Sequence, residues 1–364
     1  ISPKVKLDHV PTVTTIQVDS DHSLEKISKE RKLALNSNDI PTISDYLMDG
    51  DIRTARSFVG LDDPSDVELE YIYQARIDHC NHNTFRGVFH YRDQASGETE
   101  IVNNLFKTFI EAPTLMLKSK MPWVISVLWD NAGAGRFDND HYYVITGETH
   151  NSPSNMEAYG GAITGIVGVY RDPLGTGKGS KLVMGSYGYC VGPRDYAGDL
   201  KPHVHPRRLL DGVIEGVRDG GNKSGIPTTF GQVLFHPGYL GKCLVFVTAV
   251  GMMPAEINGT PAEKKRTSAG ELVIMCGGRV GKDGIHGVTA ASETFSVNTP
   301  AGHVQIGDPY TQKKMQDFLL EARDEGLIRF ITDNGGGGLS SSIGESARFS
   351  NGCEIELEKV PLKY

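Results

Sequence analysis

The sequence has little cysteine, little tryptophan and no long apolar run. Its five cysteines show no CxxC spacing, and an odd number without a regular framework indicates reduced thiols and a cytoplasmic protein. No apolar run approaches the roughly 20 residues of a membrane helix, and the opening ISPKVKLDHV forms no hydrophobic signal core. We therefore expect neither a membrane protein nor a secreted one. Because the first residue is not Met, we expect a piece of a longer protein.

Positive charge is also scarce. There are 37 Lys and Arg against 45 Asp and Glu, a formal net charge of −8, which argues against a nucleic-acid partner. With 364 residues, 38% hydrophobic and 23% charged, the chain is ordinary for a globular protein and long enough for two domains. Glycine is plentiful, with 43 residues in clusters. Such clusters indicate tight loops where the backbone must come close to something.

Helical and strand patterns alternate along the chain, which predicts an α/β or α+β architecture. Residues 1–55 are polar and predict a linker-like lead-in, and LKPHVHP at 200–206 predicts a boundary between domains at 56–203 and 204–364. Strand patterns occupy residues 123–128, 142–146, 181–191, 244–252, 271–276 and 327–333. Helical patterns occupy residues 163–172, a stretch that begins at Pro206, and 309–325.

A further helix is predicted to begin at Ser65. Ser65 and Glu68 have the spacing of a capping box, in which each side chain bonds the backbone amide of the other. Val67, Tyr71, Ala75 and His79 recur every four residues, so we predict that they share the buried face. This pattern would deliver His79 to the end of the helix, at the start of the loop DHCNHN.

The segment GETHNSPS follows a strand pattern directly. Glu148, Thr149, His150 and Asn151 place an acid, a hydroxyl, an imidazole and an amide side by side. Carboxylate, hydroxyl and amide oxygens are ligands suited to Mg²⁺, and His150 beside them could move a proton. Loops after strands often carry such groups. A solvated turn rich in Asn and Ser is the alternative, and this stretch alone leaves both open.

Other polar clusters are weaker signals. Arg171 and Asp172 stand at a predicted helix end, where they could bind an anion and a metal or form a surface ion pair. Asp333 precedes four glycines, as a Mg²⁺ ligand or a turn former. The glycine loops at 216–225 and 276–287 could cradle anions through backbone N–H groups or be tight turns.

Two familiar motifs are rejected. Residues 170–181 contain glycines and a lysine but do not match the phosphate-binding pattern GxxxxGK[ST]. His79 and His82 suggest zinc, but no further Cys or His pair has a matching spacing, so the four-ligand count fails. A positioned imidazole at a helix end is the better interpretation.

In their order along the chain, these segments resemble the phosphoribosylformylglycinamidine (FGAM) synthase family. The matching segments are VELEYIYQARIDHCNHNTFRG, GETHNSPS, GGAITGIVGVYRD, GVRDGGNKSGIPT, GGRVGKDGIHG, VQIGDPY, ITDNGGGGLSSSIGE and EIELEKVPLKY. From about residue 24 onward, the chain resembles the first AIR-synthase-like half of the family's synthetase portion. The resemblance implies an N-terminal (A) domain that contributes strands to a shared β-barrel, and an α/β C-terminal (B) domain.

The resemblance also implies a reaction. ATP phosphorylates the amide oxygen of formylglycinamide ribonucleotide (FGAR), and ammonia then displaces phosphate to give the amidine. An amide is a poor electrophile until its oxygen becomes a good leaving group, and Mg²⁺ with cationic side chains would stabilise the transferring phosphoryl group. The implied cofactors are therefore ATP and Mg²⁺.

Roles carry over onto the matching positions of this sequence. The resemblance implies catalytic roles for His79 and His150, with His150 as the proton acceptor. It implies Mg²⁺ binding by Glu148, Asp172 and Asp333. It implies substrate contacts by Thr149, Asn151, Ser152, Arg171 and Gln305, and nucleotide contacts by His82 and Asn222.

The chain departs from the family pattern at three positions. Thr146 stands where the family often has Lys, a residue expected to neutralise phosphate charge. Ser152 stands where His or Phe is common, and Asp78 replaces a glutamate. Thr146 favours a second reading, a non-catalytic nucleotide- or partner-binding domain. A third reading is another ATP-dependent enzyme of the AIR-synthase superfamily, against which the paired histidine motifs argue.

The resemblance finally implies partners. The family continues into a second AIR-synthase-like half that carries most of the ATP site, and it takes ammonia from a glutaminase domain or subunit. We expect this chain to be inactive without them. An isolated half would leave the strand edges of its A domain unpaired, so we also expect a homodimer that mimics the missing half.

Overall fold

The computed structural model describes most of the chain. The described residues are 12–31, 33, 35–76, 79, 82–201, 203–292, 303–305 and 307–363, without the side chains of residues 290 and 292. Two compact units are present, Ile1–Asn81 and His82–Lys363. Neither predicted domain boundary, at 55/56 or 203/204, coincides with the division between these units. No helix in the described residues has both the length and the apolar character to cross a bilayer.

The first unit is helical. Its helices are α1 (Asp21–Arg31), α2 (Asp39–Met48), α3 (Gly50–Phe58) and α4 (Asp66–Arg76). They enclose an apolar core of Val18, Leu24, Leu33, Ile43, Leu47, Leu69 and Tyr73. The stretch predicted to be a linker-like lead-in is therefore largely helical where it is described, and it shares this core with α4. Polar composition concealed this core because its apolar side chains are widely spaced along the sequence.

Helix α4 confirms its predicted start but not its predicted face. The Ser65 amide donates to Glu68 Oε2 at 2.8 Å, and the Glu68 amide donates to Ser65 Oγ at 3.1 Å, which is a capping box. However, Val67 and Tyr71 are 58% and 57% exposed, whereas Leu69 and Tyr73 are buried. The sequence offers two rows with four-residue spacing, and the unit buries the other one. The backbone at His79 is helical and this residue is exposed.

The second unit is built on a sheet of six strands. They are β3 (Val124–Ser126), β4 (Gly133–Arg136), β5 (His141–Thr149), β6 (Lys181–Val191), β7 (Thr228–Phe235) and β8 (Leu244–Pro254). Their order is β3-β4-β5-β8-β6-β7, with every pair antiparallel except β6 and β7. Two hairpins also form, β1 (Val88–Arg92) with β2 (Thr99–Asn103), and β9 (Glu256–Ile257) with β10 (Thr260–Pro261).

Helices connect and cover these strands. They are α5 (Asn83–Arg86), α6 (Ala112–Lys118, after a π-helical turn at Lys107–Glu111), α7 (Asn151–Met156), α8 (Ala158–Leu174), α9 (Pro206–Ser224), α10 (Gly287–Ser292), α11 (Pro309–Asp324) and α12 (Gly338–Ser350). Short 3-10 turns lie at Pro237–Tyr239 and Leu357–Lys359. Helix α11 begins as predicted, because the Asp308 side chain accepts from the amides of Tyr310 and Thr311 at 3.1 Å each.

The main core lies between the sheet and helices α8 and α9. Buried side chains of α8, α9, β6 and β8 form one apolar cluster that includes Ile166, Tyr170, Val213 and Val245. The two helices approach closely because α9 has glycines where they meet. A Cβ at Gly216 would lie 2.5 Å from the Tyr159 carbonyl oxygen, so a larger residue would push the helices apart.

The structure differs from the predicted organisation after residue 200. Strand β8 pairs with both β5 and β6, so the chain beyond 204 returns into the same sheet. The strands predicted at 271–276 and 327–333 are wrong, because both described segments lack strand pairing. Leu272 and Ile274 are 87% and 71% exposed. An apolar run becomes a strand only where a neighbouring strand accepts its hydrogen bonds.

Candidate functional site

The predicted active loop sits where β5 ends and α7 begins. The His150 amide donates to the Val245 carbonyl at 2.7 Å, and Asn151 Oδ1 accepts from the Val245 amide at 2.8 Å. Both residues are therefore tied to β8 after the strand has ended, which fixes the direction of the loop. The side-chain carbonyl of Asn151 is engaged in this anchor, so its amide nitrogen is the atom left to meet a ligand.

The imidazole of His150 lies against helix α8. A Cβ at Gly165 would stand 2.9 Å from His150 Cβ and 3.3 Å from its Nδ1, closer than such atoms can normally approach. The absence of a side chain at Gly165 is thus what makes room for the ring. His150 is half-buried, and its orientation is set by a helix rather than by a mobile turn.

The neighbours of His150 divide into exposed and buried groups. Glu148 and Thr149, at the end of β5, are exposed. Ser152 is only 7% exposed, and its Oγ donates to the Ala291 carbonyl at 3.1 Å. The hydroxyl predicted to contact substrate therefore joins α7 to α10. Among these residues, Glu148 and Thr149 are the ones whose side chains face solvent.

The three predicted metal ligands share one neighbourhood. Asp172 is 9% exposed near the end of α8. Burial raises the pKa of its carboxyl to about 9, the nearby Glu148 and Asp333 carboxylates push it in the same direction, and Arg171 opposes them. A buried carboxyl that feels two other carboxylates needs either a proton or a cation.

Arg171 supplies part of the positive charge. Its Nε donates to Asp333 Oδ2 at 3.2 Å, while Asn131 Nδ2 donates to Asp333 Oδ1 at 3.0 Å. Both oxygens of Asp333 thus already accept hydrogen bonds. Arg171 pairs across the structure with Asp333, 162 positions away, and not with its sequence neighbour Asp172 as the local-pair alternative would have it.

These carboxylates fit a hard divalent cation by donor type and by charge. Within the described residues, however, no group of three His, Cys, Asp or Glu side chains is arranged closely enough to hold a metal ion. The three carboxylates are near enough to affect one another, but they do not surround a common point as the ligands of a bound metal would. Glu148 is exposed at the strand end, and its carboxyl lies within hydrogen-bonding reach of Asp172.

Gln305 contacts helix α8 from the second half of the chain. Its main-chain carbonyl accepts from Thr164 Oγ1 at 2.5 Å, and Thr164 Oγ1 in turn accepts from the Gly307 amide at 3.2 Å. A Cβ at Gly284 would run into the Gln305 side chain, so this glycine of the loop at 276–287 also serves a close approach. Thr164 and Gly165 are adjacent in the helix and therefore point in different directions, so this contact fixes the Gln305 backbone on α8 without placing its side chain beside His150.

The remaining predicted residues are His79, His82 and Asn222. His79 belongs to the first unit. His82 is the N-cap of α5, exposed and with a left-handed backbone at φ 53°. Asn222 is exposed near the end of α9 and lines an open pocket of about 420 Å³. The pocket is also lined by Tyr189, Ile214, Val217, Arg218, Gly221, Ile226, Pro227 and Thr228.

Sequence reasoning missed the residues that position the cluster. Asn131 and Gly165 contact predicted site residues directly, and Asp130 pairs with buried Lys265 next to them. Gly165 lies in a predicted helix whose glycines are unfavourable for helix formation. Their presence there was the one sign in the sequence that the helix makes a close contact. Lys265 stands in the charged run EKKR, which gives no sign of burial.

Comparisons with known protein families divide the chain into two matched domains. Residues 129–253 match the family of AIR synthase related protein, N-terminal domain, and residues 268–364 match AIR synthase related protein, C-terminal domain. The first match contains His150 and Arg171, and the second contains Gln305 and Asp333. The predicted site thus draws on both matched domains.

Individual relatives are similar over most of the chain. Phosphoribosylformylglycinamidine synthase subunit PurL of Thermoplasma volcanium is 31% identical over 352 residues, which is 94% of this chain and 41% of the relative. The solved structure of T. maritima PurL complexed with FGAR has a TM-score of 0.61 at 26% identity and covers 85% of this chain and 43% of that one. T. maritima PurL complexed with ATP gives 0.57 at 25% identity, over 85% and 42%.

The similarity is thus broad within this chain but partial within its relatives. This chain spans about two fifths of the length of the PurL proteins that it matches. The two family matches together take in the sheet apart from β3 and the last residue of β8, helices α8 and α9 that cover it, and the segment that carries Asp333. The chain therefore belongs to the AIR synthase related proteins and, within them, to the group similar to phosphoribosylformylglycinamidine synthase subunit PurL.

Proposed function

We propose that the chain carries the FGAR- and Mg²⁺-binding part of a phosphoribosylformylglycinamidine synthase. The whole enzyme would be an ATP-dependent ligase of purine biosynthesis that amidates FGAR with ammonia. The observation that carries the proposal is the placement of His150 against Gly165, at the end of a strand whose Glu148 feels the Asp172 carboxyl. Relatives solved with FGAR and with ATP support it.

In this mechanism His150 is the base. Its ring is held by α8 and its backbone by β8, so the imidazole can take the proton that ammonia loses as it adds to the activated carbon. Arg171 would stabilise negative charge on the phosphorylated substrate. Thr149 and the amide nitrogen of Asn151 would orient the substrate beside it, and the Gln305 side chain would do so from the other matched domain.

A divalent cation would be held by Glu148, Asp172 and Asp333, where it would neutralise phosphate charge. To reach it, Asp333 would have to share its oxygens with Arg171 and Asn131, which bond them in this structure. His79, His82 and Asn222 remain proposed contacts, His79 in catalysis and the other two toward nucleotide.

Partners complete the proposal. A second AIR-synthase-like half would supply the remaining nucleotide site, and a glutaminase domain or subunit would supply ammonia. In their absence we propose a homodimer through the A-domain strands. Strand β7 lies outside the predicted A domain at 56–203 but inside the matched N-terminal domain at 129–253. All eight of its residues are exposed, including Phe230 and Leu234, and such an edge strand favours pairing with another chain. A single monomeric species in sedimentation at micromolar concentration would contradict the dimer.

The experiment uses the longest natural chain with its glutaminase. Phosphate release should require ATP, FGAR and ammonia together. His150→Ala should lower the turnover number by about 10²–10⁴-fold, the usual worth of a general base, with FGAR binding retained. His141→Ala, at the exposed other end of β5, is the matched control and should keep full activity. Full activity in His150→Ala would remove the proposed base.

Two observations favour a second candidate, a non-catalytic nucleotide- or partner-binding domain. Asp333 is already held by Arg171 and Asn131, and Thr146 on β5 brings no positive charge to the site. That protein would bind ATP or FGAR in calorimetry but release no phosphate with any combination of substrates. The assay above therefore separates the two candidates.

A further inference from the structure

A buried ion pair lies next to the carboxylate cluster. Lys265 Nζ and Asp130 Oδ1 are 2.5 Å apart, and the two side chains are only 5% and 1% exposed. Neither residue belongs to the groups proposed to react. Burying a lysine and an aspartate costs on the order of several kcal/mol in desolvation, which is about as much as their mutual attraction returns. Such a pair is therefore weak as a source of stability, and its other contacts decide its role.

Every donor of the Lys265 ammonium has a use. Besides Asp130, it donates to the Ile331 carbonyl at 2.9 Å and to the Gly175 carbonyl at 3.2 Å. Its Nζ also stands 4.8 Å from the centre of the Phe330 ring. Three protons thus meet three acceptors, two of which are main-chain groups of distant segments. One ammonium fixes the end of α8 and the segment that leads to Asp333.

Asp130 completes the connection from the other side. Its Oδ2 accepts from the Gly177 amide at 2.7 Å, and its Oδ1 accepts from the Asn131 amide at 2.8 Å. The Asn131 side chain then donates to Asp333 at 3.0 Å. The ion pair therefore bonds to the turn after α8 and to the residue that holds Asp333.

The clamped segments come from both matched domains. Asp130 and Gly175 lie within residues 129–253, Ile331 lies within 268–364, and Lys265 stands between the two matches. Arg171 and Asp172 are in the first domain and Asp333 is in the second. The distance between these site residues thus depends on how the two domains are held together at Lys265.

We propose that Lys265 and Asp130 are positioning residues that hold Asp333 in register with Arg171 and Asp172, and so set the affinity of the carboxylate cluster for a divalent cation. The cation part rests on the proposed function. The positional part does not, because it concerns the contacts of the chain itself. Supporting groups of this kind are worth about 10–100-fold in metal affinity in other proteins.

The test uses Lys265→Met, which keeps the length of the side chain and removes its charge. Exposed Lys264→Met is the matched control one residue away. The Arg266 amide donates to the Arg329 carbonyl at 3.3 Å and so reports whether the segment that leads to Asp333 stays in place. In the full natural chain, Lys265→Met should raise amide hydrogen exchange at Arg266 by at least about tenfold and leave exchange in β5 and β8 unchanged. Mg²⁺ titration by calorimetry should show a dissociation constant about tenfold higher. Lys264→Met should change neither.

A second variant guards against misfolding of the first. Asp130→Asn keeps an oxygen for the Gly177 amide while removing the charge that faces Lys265, and it should give the same local pattern. Unchanged exchange at the Arg266 amide in a folded variant would overturn the positional role. Equal acceleration there and in β5 would show a purely structural pair and would also overturn it.

The two arms separate two kinds of failure. If the wild-type protein binds no Mg²⁺, the proposed function fails, while the exchange experiment still decides whether Lys265 positions Asp333. If the wild type binds Mg²⁺ and Lys265→Met binds it with the same affinity, the proposed link between Lys265 and cation affinity is overturned. Faster local exchange with weaker Mg²⁺ binding supports the whole proposal.

Discussion

The two matched domains hold their site residues by different means. In the first domain, Glu148 stands on a strand, Asp172 on a helix, and His150 between a β8 carbonyl and Gly165. In the second domain, Gln305 and Asp333 stand on irregular segments. Thr164 bonds the first, and Arg171 and Asn131 bond the second. The first group is positioned by many backbone bonds that form together, whereas each member of the second depends on a few separate contacts.

This difference implies different sensitivities. Residues on the sheet and on α8 should keep their place after most single substitutions, because ladder bonds are numerous and cooperative. Residues such as Asp333 should shift when one supporting side chain is lost. Substitutions that touch both domains should therefore have the largest effects, and those in a single supporting bond the smallest.

The largest effect is expected at Asp172, where the two domains meet. Burial and the Glu148 and Asp333 carboxylates raise its pKa, so the folded protein keeps a proton that the unfolded chain has lost. Stability then falls as pH rises between the unfolded and folded pKa values, by at most about 1.4 kcal/mol per pH unit. Asp172→Asn removes this slope, so its advantage over wild type in free energy of unfolding should grow with pH.

The measurement is urea unfolding of both proteins in a chelator from about pH 5 to about pH 8. Exposed Asp211→Asn is the control and should run parallel to wild type. Excess Mg²⁺ should reduce the pH dependence of the wild type, because a cation offsets the repulsion that holds the proton. Parallel curves for Asp172→Asn and wild type would mean that the three carboxylates do not act on one another.

A smaller effect is expected inside the first domain. Gly165→Ala and Gly168→Ala make the same change on the same helix, and each gains about 1 kcal/mol of helix propensity. At Gly165 the new Cβ meets the His150 ring, and crowding of this kind costs about 1–3 kcal/mol. At Gly168 the nearest atom is Arg171 Nη2 at 4.0 Å. Only Gly165→Ala should lose stability and phosphate release.

Comparison of the two alanines isolates the contact, since propensity cancels between them. Chemical unfolding gives the difference in stability, and the phosphate-release assay on the longest natural chain gives the difference in turnover. Equal behaviour of the two variants would show that His150 does not rest on α8.

The sequence predicted best those residues that regular helices and strands hold in place. Ser65 with Glu68 and Asp308 were recognisable because a cap joins residues two or three apart. The strand pattern at 142–146 was recognisable locally, although β5 continues to Thr149, and it carried the loop of His150 into its place. Where position depends on neighbours in sequence and on a regular element, the pattern was sufficient.

Contacts between distant segments leave no such pattern. The partner of Arg171 is 162 residues away, so adjacency to Asp172 misled. Lys265 is buried in a run that looks solvated, because three acceptors from remote segments compensate its charge. The apolar runs at 271–276 and 327–333 have the composition of strands, but composition does not supply a partner strand.

The smallest effect is expected for one supporting bond of the second domain. Thr164→Val keeps the shape of the side chain but loses the bonds to the Gln305 carbonyl and the Gly307 amide. The expected loss is about 1 kcal/mol of stability, and the KM for FGAR should rise several-fold more than kcat changes, since Gln305 would orient substrate.

Thr54→Val is the control for that substitution, because Thr54 donates only to the Gly50 carbonyl within its own helix. It should leave KM unchanged. If Thr164→Val also leaves KM unchanged while it lowers stability, Gln305 does not depend on α8 for its position. The second domain would then keep its site residues in place after a single substitution as well as the first does. The two domains would differ in structure but not in how sensitive substrate binding is to the loss of one bond.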